Sequence, residues 1–151
     1  MPQADVRQSA VAAATSKLSL PRGVSIRAWS EEDFSEIQRL SKGEGWPTPE
    51  ERPAEALHAW HQSWPVLVAT KDEQVIGFVR ALTDEEVTTY IAELLVDSEW
   101  RGRGVGRSLL EACHFLHPHT RQDLLSTEGS DAFYQAFAFR EFAGFRKNWP
   151  E

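Results

Sequence analysis

The spacing of apolar residues along this chain changes between a helical and a strand-like period, and these changes predict its elements. After Ser30, the residues Phe34, Ile37 and Leu40 recur at helical spacing, and Ser30 with Asp33 resembles a capping pair. A helix is therefore predicted there, ending at the glycines that follow. Further helices are predicted over about residues 53–63, 104–116 and 130–137.

Strand-like runs fill the space between these helices. Segments rich in Val, Ile, Phe and Thr predict six strands, over residues 24–29, 66–70, 74–82, 87–96, 123–126 and 140–148. Short connections of about four residues favour antiparallel neighbours, because a parallel crossover needs a dozen residues or more. The predicted order is βααβββαβαβ, which defines a mixed α/β domain.

The length and composition limit the organisation of the chain. Its 151 residues suffice for one domain, predicted over residues 23–151, after a flexible leader over residues 1–22 that has few large apolar side chains. The single Cys113 excludes an intramolecular disulfide and fits a reducing, cytoplasmic compartment. The apolar runs are far shorter than the ~20 residues of a membrane helix, so no membrane association is expected.

The net charge of −7 argues against nucleic-acid binding, which requires a basic face to neutralise phosphates. The charge is unevenly distributed. Residues 31–55 carry eight acids against three bases, whereas Arg101, Arg103 and Arg107 follow one another without an acid between them. One part of the domain is therefore expected to suit a cation, and another part an anion.

The most informative segment is residues 101–108, Arg-Gly-Arg-Gly-Val-Gly-Arg-Ser, between a predicted strand and a predicted amphipathic helix. Glycines allow the backbone to approach a bulky anion and to take positive φ angles. The first amides of the helix point at such an anion, and arginines add charge-assisted hydrogen bonds. The turn therefore predicts a phosphate-bearing ligand, with a solvated basic turn as the alternative.

Two common phosphate motifs do not fit this turn. A P-loop ends in Gly-Lys-Ser/Thr, which is absent here. A dinucleotide fingerprint counted from Gly102 requires a glycine where Arg107 stands. The acid of that fingerprint should also end the next strand, whereas Asp123 begins one.

Residues 96–106 resemble the acetyl-CoA signature of the GNAT superfamily of N-acetyltransferases, Gln/Arg-x-x-Gly-x-Gly/Ala. Arg101, Gly104 and Gly106 stand at its three fixed positions. Residues 133–139 resemble the family's Tyr-x-x-x-Gly-Phe segment, with an alanine where glycine is usual. The resemblance covers about residues 24–148. It implies a central, mostly antiparallel, twisted sheet, helices on both faces and a V-shaped splay between the fourth and fifth strands.

The resemblance also implies acetyl-CoA as the cosubstrate, with its pyrophosphate on the glycine turn and its pantetheine arm along the splayed fourth strand. A backbone N–H of that strand is expected to polarise the thioester carbonyl. No metal is expected, because Pro118 interrupts the only metal-like histidine spacing. The implied cofactor-binding residues are Leu94, Leu95, Val96, Arg101, Gly102, Arg103, Gly104, Val105, Gly106, Arg107 and Ser108.

Acetylation of an amine requires proton transfer, because a primary amine with a pKa near ~10 is mostly protonated at pH 7. Glu93, on the fourth strand, is the candidate general base, and a surface or salt-bridged glutamate is an equal alternative. Tyr134 matches the family position of the general acid that protonates the thiolate leaving group. Its alternative is a core aromatic among neighbouring phenylalanines.

The first two helices cover the acceptor side in this family, and here they carry the acidic excess together with Trp46, Trp60 and Trp64. Acids attract amines and aromatic faces hold cations, so the expected acceptor is the primary amine of a cationic small molecule. It is expected to attack the thioester directly within a ternary complex. The alternative is that these acids are solvated and these tryptophans belong to the core.

Two other functions stay open: acetylation of protein lysines or N-termini, and a non-catalytic acetyl-CoA-binding regulatory module. The presence of Glu93 and Tyr134 favours an enzyme over the module. Dimers are common in the superfamily, and the C-terminal strand from Phe145 to Trp149 is a candidate for pairing at a sheet edge of a second copy.

Overall fold

A five-stranded sheet forms the centre of the computed structural model, which describes residues 2–150. Its strands lie side by side in chain order, antiparallel from the first to the fourth and parallel between the last two. The strands are β1 (Val24–Ala28), β2 (Val66–Lys71), β3 (Gln74–Thr83), β4 (Thr88–Val96) and β5 (Arg121–Leu124).

Helices cover both faces of this sheet, as expected for the predicted fold class, which the structure confirms. They are α1 (Pro2–Thr15), α2 (Phe34–Gly43), α3 (Thr48–Glu51), α4 (Pro53–His61), α5 (Val105–Leu116) and α6 (Asp131–Ala136). Single 3-10 turns precede α2 and follow β4. Within residues 2–150, no helix is both long and apolar enough to cross a membrane.

The start of α2 is fixed by one buried carboxylate. The Asp33 side chain accepts a hydrogen bond of 2.8 Å from the backbone N–H of Ser30, as the capping pattern predicts. It also forms two bonds of 2.8 Å with the guanidinium of Arg27 on β1. Because this carboxylate is only 7% exposed, the double ion pair satisfies a charge that would otherwise be costly to bury.

Alternating strand residues pack into two apolar layers, one on each side of the sheet. The layer under α2 and α4 is centred on Trp60, Phe78 and Leu95. The opposite layer, under α1 and α5, includes Val11 and Ile91. This alternation is what the two-residue period of a strand produces when both faces are covered.

The N-terminal segment differs from the flexible leader predicted for residues 1–22. The structure has a helix over Pro2–Thr15, which packs on β1 and α5 through the buried Val11 and Ala14. The side chain of Gln8 also accepts a hydrogen bond of 3.0 Å from the backbone N–H of Ala28. The small number of large apolar residues hid this helix, because Val11 and Ala14 suffice to seat it on the sheet.

The C-terminal segment differs as well. The predicted strand over residues 140–148 is wrong, because residues 139–150 contain neither helix nor strand. The fifth strand occurs, but two residues earlier than predicted, because Arg121 pairs opposite Thr88. Phe142 and Phe145 are 72% and 95% exposed, so they bury no face against the residues that the structure describes.

We expect α1 to be an integral part of the domain. Replacing Val11, which is fully buried, with Asp should lower the free energy of unfolding by at least about 2 kcal/mol, because the carboxylate would have no partner in the apolar layer. Val6→Asp is the matched control on the same helix. Val6 is 69% exposed, so that variant should change stability by less than about 0.5 kcal/mol in urea unfolding. Equal stability of the two variants would contradict the packing of α1.

Candidate acetyl-CoA and acceptor site

The strands β4 and β5 separate after four residue pairs. Their parallel pairing runs from Thr88–Arg121 to Ile91–Leu124, whereas β4 continues to Val96 alongside β3. The backbone of residues 92–96 therefore has a strand neighbour on one side only. This is the V-shaped splay that the family resemblance implies, and it leaves backbone groups free to pair with an extended ligand.

A bulge in β4 lies at the same place. The register with β3 changes from Arg80–Glu93 to Ala81–Ile91, so Ala92 is an additional residue of β4. As a result, Ile91 points into the layer under α1 and α5, whereas Glu93 contacts Arg80 on the opposite face. Without the bulge, the two-residue period would place Ile91 and Glu93 on the same face.

The glycine turn has the geometry of an anion site. Gly102 and Gly104 have φ angles of +75° and +88°, which side-chain-bearing residues rarely adopt. A Cβ added to either would meet no atom within 4 Å, so the turn is open in front of its backbone. The first helical bond of α5 runs from the N–H of Ser108 to the carbonyl of Gly104, at 3.0 Å. The amides before Ser108 precede the helical ladder and have no carbonyl partner within the helix.

Other residues of the motif act in packing rather than at the open surface. A Cβ on Gly106 would lie 3.3 Å from the ring of Phe133 and 3.5 Å from the side chain of Val96, so this glycine allows α5 to approach both. The side chains of Val105 and Ser108 are buried, at 1% and 6% exposed. Their side chains face the core, and the N–H of Ser108 is already bonded to the carbonyl of Gly104.

The three arginines of the turn differ in their availability. The Nε of Arg101 donates to the carbonyl of Val96 at 3.0 Å, and its guanidinium forms an ion pair with Glu44 just after α2. Arg107 is bonded to Glu111 on the next helical turn. Arg103 stacks on Trp100 at 4.7 Å and makes no ion pair within residues 2–150. Arg103 is thus the best placed to contact phosphate, whereas Arg101 anchors the turn to α2.

The candidate base Glu93 is ion-paired. Its Oε2 accepts a hydrogen bond of 2.9 Å from the Nε of Arg80, and the two side chains are only 23% and 20% exposed. Within residues 2–150, its Oε1 accepts no hydrogen bond. One oxygen of this carboxylate is therefore held by the protein, and the other is unshared.

The candidate acid Tyr134 lies in α6, half-buried at the edge of the apolar layer under α5. Its ring makes edge contacts with Phe133 and Phe139, at centroid distances of 5.0 and 5.5 Å. Burial raises the pKa of the Tyr134 phenol, so the group remains protonated at neutral pH. The ring of Tyr134 therefore packs at the edge of the core, as the alternative interpretation predicts, and its hydroxyl keeps its proton.

The residue after this helix explains one departure from the family pattern. Ala138, where the family usually has glycine, has a φ of +63°. This is the left-handed conformation that glycine adopts without strain. Ala138 thus takes a conformation that a glycine would adopt here without strain.

The acidic segment over residues 31–55 is partly neutralised within the protein. Six of its eight acids lie close to a basic side chain, which leaves less field for attracting a distant cation than the sequence suggests. The pairs are Glu31–His61, Asp33–Arg27, Glu36–Arg39, Glu44–Arg101, Glu50–Lys42 and Glu55–Arg52.

The tryptophans are distributed between the two apolar layers. Trp60 is 1% exposed and Trp46 packs beside it, so both support the core under α2 and α4. Trp64 lies on the other side of the sheet, where the guanidinium of Arg7 stacks 4.5 Å above its ring. The expectation that all three line the acceptor side is therefore wrong for Trp64.

A cavity of about 470 Å³ next to Trp64 is also remote from the glycine turn. It lies between α1 and the end of α5, near Leu116 and His117. Because α5 has 12 residues, its two ends are roughly 17 Å apart. The cavity is therefore separate from the splayed edge and the turn.

Cys113 does not take part in chemistry at the site. It is 1% exposed on the buried face of α5, and this burial raises the pKa of its thiol to about 12. The thiolate is negligible at neutral pH, as expected for a packing residue. In the part of the chain that the structure describes, no three potential ligands are grouped to hold a metal ion.

Comparison with known proteins agrees with this geometry. The model of the acetyltransferase (GNAT) domain matches residues 62–141, which is more than half of the chain. No curated protein matches the sequence. This chain therefore belongs to the GNAT acetyltransferase family, and the domain it carries is that of an acetyl-CoA-dependent acetyltransferase.

Solved structures show the same fold at low sequence identity. A Deinococcus radiodurans R1 protein assigned as an acetyltransferase is 24% identical, with a TM-score of 0.69 over 88% of this chain and 92% of that chain. Ard1 from Thermoplasma volcanium is 24% identical, with a TM-score of 0.67 over 80% and 85%. AAC(6′)-Iy, solved with the bisubstrate analogue CoA-S-monomethyl-acetylneamine, is 20% identical, with a TM-score of 0.65 over 83% and 98%.

Sequence reasoning missed the partners of the motif residues. Nothing local in the sequence connects Glu44 with Arg101, which are 57 positions apart, or Ser63 and Arg80 with Glu93. The sequence features that could have indicated these contacts are the lone serine after α4 and the lone arginine in an apolar strand. A charged residue within a buried strand requires a partner, but the sequence does not identify it.

Gly104→Asp should lower acetyl-CoA affinity at least tenfold, or about 1.4 kcal/mol, because it places a negative charge in front of the amides of the turn. Isothermal calorimetry measures the effect. Gly45→Asp is the matched control, since Gly45 also has a positive φ of +83° and open space at Cβ. It should bear similar strain and bind acetyl-CoA like the wild type. Unchanged binding by a folded Gly104→Asp variant would place acetyl-CoA elsewhere.

Proposed function

We propose that this protein transfers the acetyl group of acetyl-CoA to the primary amine of a small cationic molecule, by direct attack in a ternary complex. The observation that carries the proposal is the unpaired edge of β4 between the glycine turn and Glu93. An extended cosubstrate pairing with that edge would place its reactive end on the side of the sheet where the carboxylate lies.

The residues of the turn fit a pyrophosphate group. We assign its binding to the backbone of residues 102–107, with Arg103 as the phosphate-binding side chain and Arg101 as the anchor of the turn. Leu94, Leu95 and Val96 contribute their backbone, and Ser108 supports the turn through the bond from its N–H to the carbonyl of Gly104. Acetyl-CoA supplies an activated thioester, so the remaining task of the protein is to orient the amine and move protons.

Glu93 is assigned as the general base. Its unshared Oε1 can accept a proton from the acceptor amine or from a water molecule bound to it. The same charge attracts an ammonium group, which supports a cationic acceptor although most acids of residues 31–55 are paired. The alternative acceptors are protein lysines and N-termini, and a small amine is favoured here because AAC(6′)-Iy binds an acetylneamine analogue on the same fold.

Tyr134 is assigned as the general acid. The raised pKa of its phenol keeps the proton available at neutral pH, where the thiolate leaving group needs it. The phenylalanines around its ring fix its orientation. The free thiol of Cys113 supports a reducing, cytoplasmic compartment for the enzyme.

We further propose that the protein forms a homodimer through its C-terminal segment. β5 is a short edge strand, and Phe142, Phe145 and Trp149 beyond it are exposed. The segment 140–148 carries three bases and one acid in a chain of net charge −7, so it is complementary to the remainder of a second copy.

Light scattering tests this assembly. The wild type should have the mass of a dimer, and the double variant Phe142→Ser/Phe145→Ser the mass of a monomer. Val6→Ser, at another exposed apolar position, is the control and should stay dimeric. A monomeric wild type at micromolar concentration would exclude the proposed dimer.

Release of free CoA in the presence of different amines tests the reaction. We expect turnover with 1,4-diaminobutane or neamine, and little with L-glutamate or with peptides that carry a free N-terminus or a lysine. Turnover with the peptides alone would favour protein acetylation. Acetyl-CoA binding without CoA release for any amine would favour the regulatory module, and turnover with L-glutamate alone would overturn the charge argument.

Tyr134→Phe should lower kcat by about tenfold or more and leave the calorimetric affinity for acetyl-CoA unchanged, because it removes only a proton donor. The control is the double variant Phe133→Tyr/Tyr134→Phe, in which the adjacent ring carries a hydroxyl at the wrong position. Full activity of Tyr134→Phe would limit this residue to packing.

A further inference from the structure

A chain of three polar side chains links α4, β3 and β4 on the face that carries Glu93. The Nε of Arg80 donates to Oε2 of Glu93 at 2.9 Å, and the Nη1 of Arg80 donates to the hydroxyl of Ser63 at 3.1 Å. Ser63 follows α4 and donates its own proton to the carbonyl of Ala59 at 2.7 Å. Arg80 therefore donates at both of its contacts, to the carboxylate of Glu93 on one side and to Ser63 on the other, and Ser63 passes its own proton on to α4.

The burial of these groups makes the arrangement rigid. Ser63 is 2% exposed, and the side chains of Arg80 and Glu93 are 20% and 23% exposed. Because the proton of Ser63 is used by α4, its oxygen can only accept, which suits the guanidinium and no other nearby group. Arg80 is thereby held from one side by the helix and from the other by the carboxylate.

The bulge at Ala92 makes this contact possible. It turns Glu93 away from the layer of Ile91 and brings it opposite Arg80, at the residue where β4 has already separated from β5. The single bond from the Nε of Arg80 holds Oε2 of the carboxylate and leaves Oε1 unshared.

We propose that Arg80, anchored by Ser63, is a positioning residue that aims Oε1 of Glu93 at the acceptor amine. This inference rests on the proposed role of Glu93 as the general base. Arg80 itself touches neither the cosubstrate edge nor the acceptor, and it acts through the orientation of the carboxylate. An ion pair that only joined β3 to β4 would not require the bond to α4.

A double-mutant cycle separates positioning from simple stabilisation. The probe is 1,4-diaminobutane with acetyl-CoA, and the measurements are kcat, KM, calorimetric acetyl-CoA affinity and urea unfolding. Arg80→Met should lower kcat by about tenfold or more without changing acetyl-CoA affinity, and Arg80→Lys should recover part of the loss. Ser63→Ala should lower kcat by a smaller factor. Adding Arg80→Met to Glu93→Gln should lower kcat no further, because both act on one group.

Arg121→Met is the matched control, since it breaks an exposed strand ion pair with Asp123 near the far end of β4. It should leave kcat and KM unchanged. Independent losses from Arg80→Met and Glu93→Gln that multiply in the double variant would overturn the positioning role. An active Arg80→Met variant together with an impaired Glu93→Gln variant would also overturn the positioning role. In that case the assignment of Glu93 as the base would remain intact.

Other outcomes would overturn the proposed function or its assignment of Glu93 as the base. Full activity of Glu93→Gln would overturn Glu93 as the base and the inference with it. Failure of the wild type to acetylate 1,4-diaminobutane or any other amine of the panel would overturn the proposed function first. If Arg80→Met does not fold, the Ser63→Ala and Arg80→Lys variants decide, and wild-type kinetics in both would overturn the inference.

Discussion

The separation of β4 from β5 after Ile91 is the constraint on which the rest of the site depends. Parallel strands share a ladder only while they run side by side, and here the ladder stops after four pairs. The backbone of residues 92–96 must then find another partner or remain in water. The bulge at Ala92, the open glycine turn beyond Val96 and the orientation of Glu93 all lie along this unpaired stretch, so one local event in the sheet creates an open edge and sets which face the neighbouring side chains occupy.

Charge in this protein is organised by pairing at close range. Most acids of residues 31–55 lie close to a basic side chain, and one of them, Glu44, reaches across to Arg101 in the glycine turn. Surface pairs of this kind contribute little to stability, so their value lies in geometry. The carbonyl of Val96 and the carboxylate of Glu44 hold the Arg101 guanidinium, which leaves the amides of the turn and Arg103 for an anion.

The fold was largely predictable from the sequence, and the site only in outline. Local periodicity predicted α2, α4, α5 and the first five strands, because apolar spacing within one element is a property of adjacent residues. Arg101, Gly104 and Gly106 identified the turn for the same reason. Two segments were misjudged. The helix over Pro2–Thr15 is seated by Val11 and the sheet beneath it, and the aromatic residues of the C-terminal segment lack a partner strand within the chain.

What the sequence determined by itself is the set of local structures: helical and strand periods, the capping carboxylate of Asp33, and a glycine-rich turn between a strand and a helix. What only the tertiary structure decided is which distant groups meet. The pairing of Arg80 with Glu93 depends on a bulge, and the split between β4 and β5 depends on where a four-residue strand docks. Such contacts join residues far apart in sequence, where neither spacing nor composition carries information, and the packing of the whole sheet selects them.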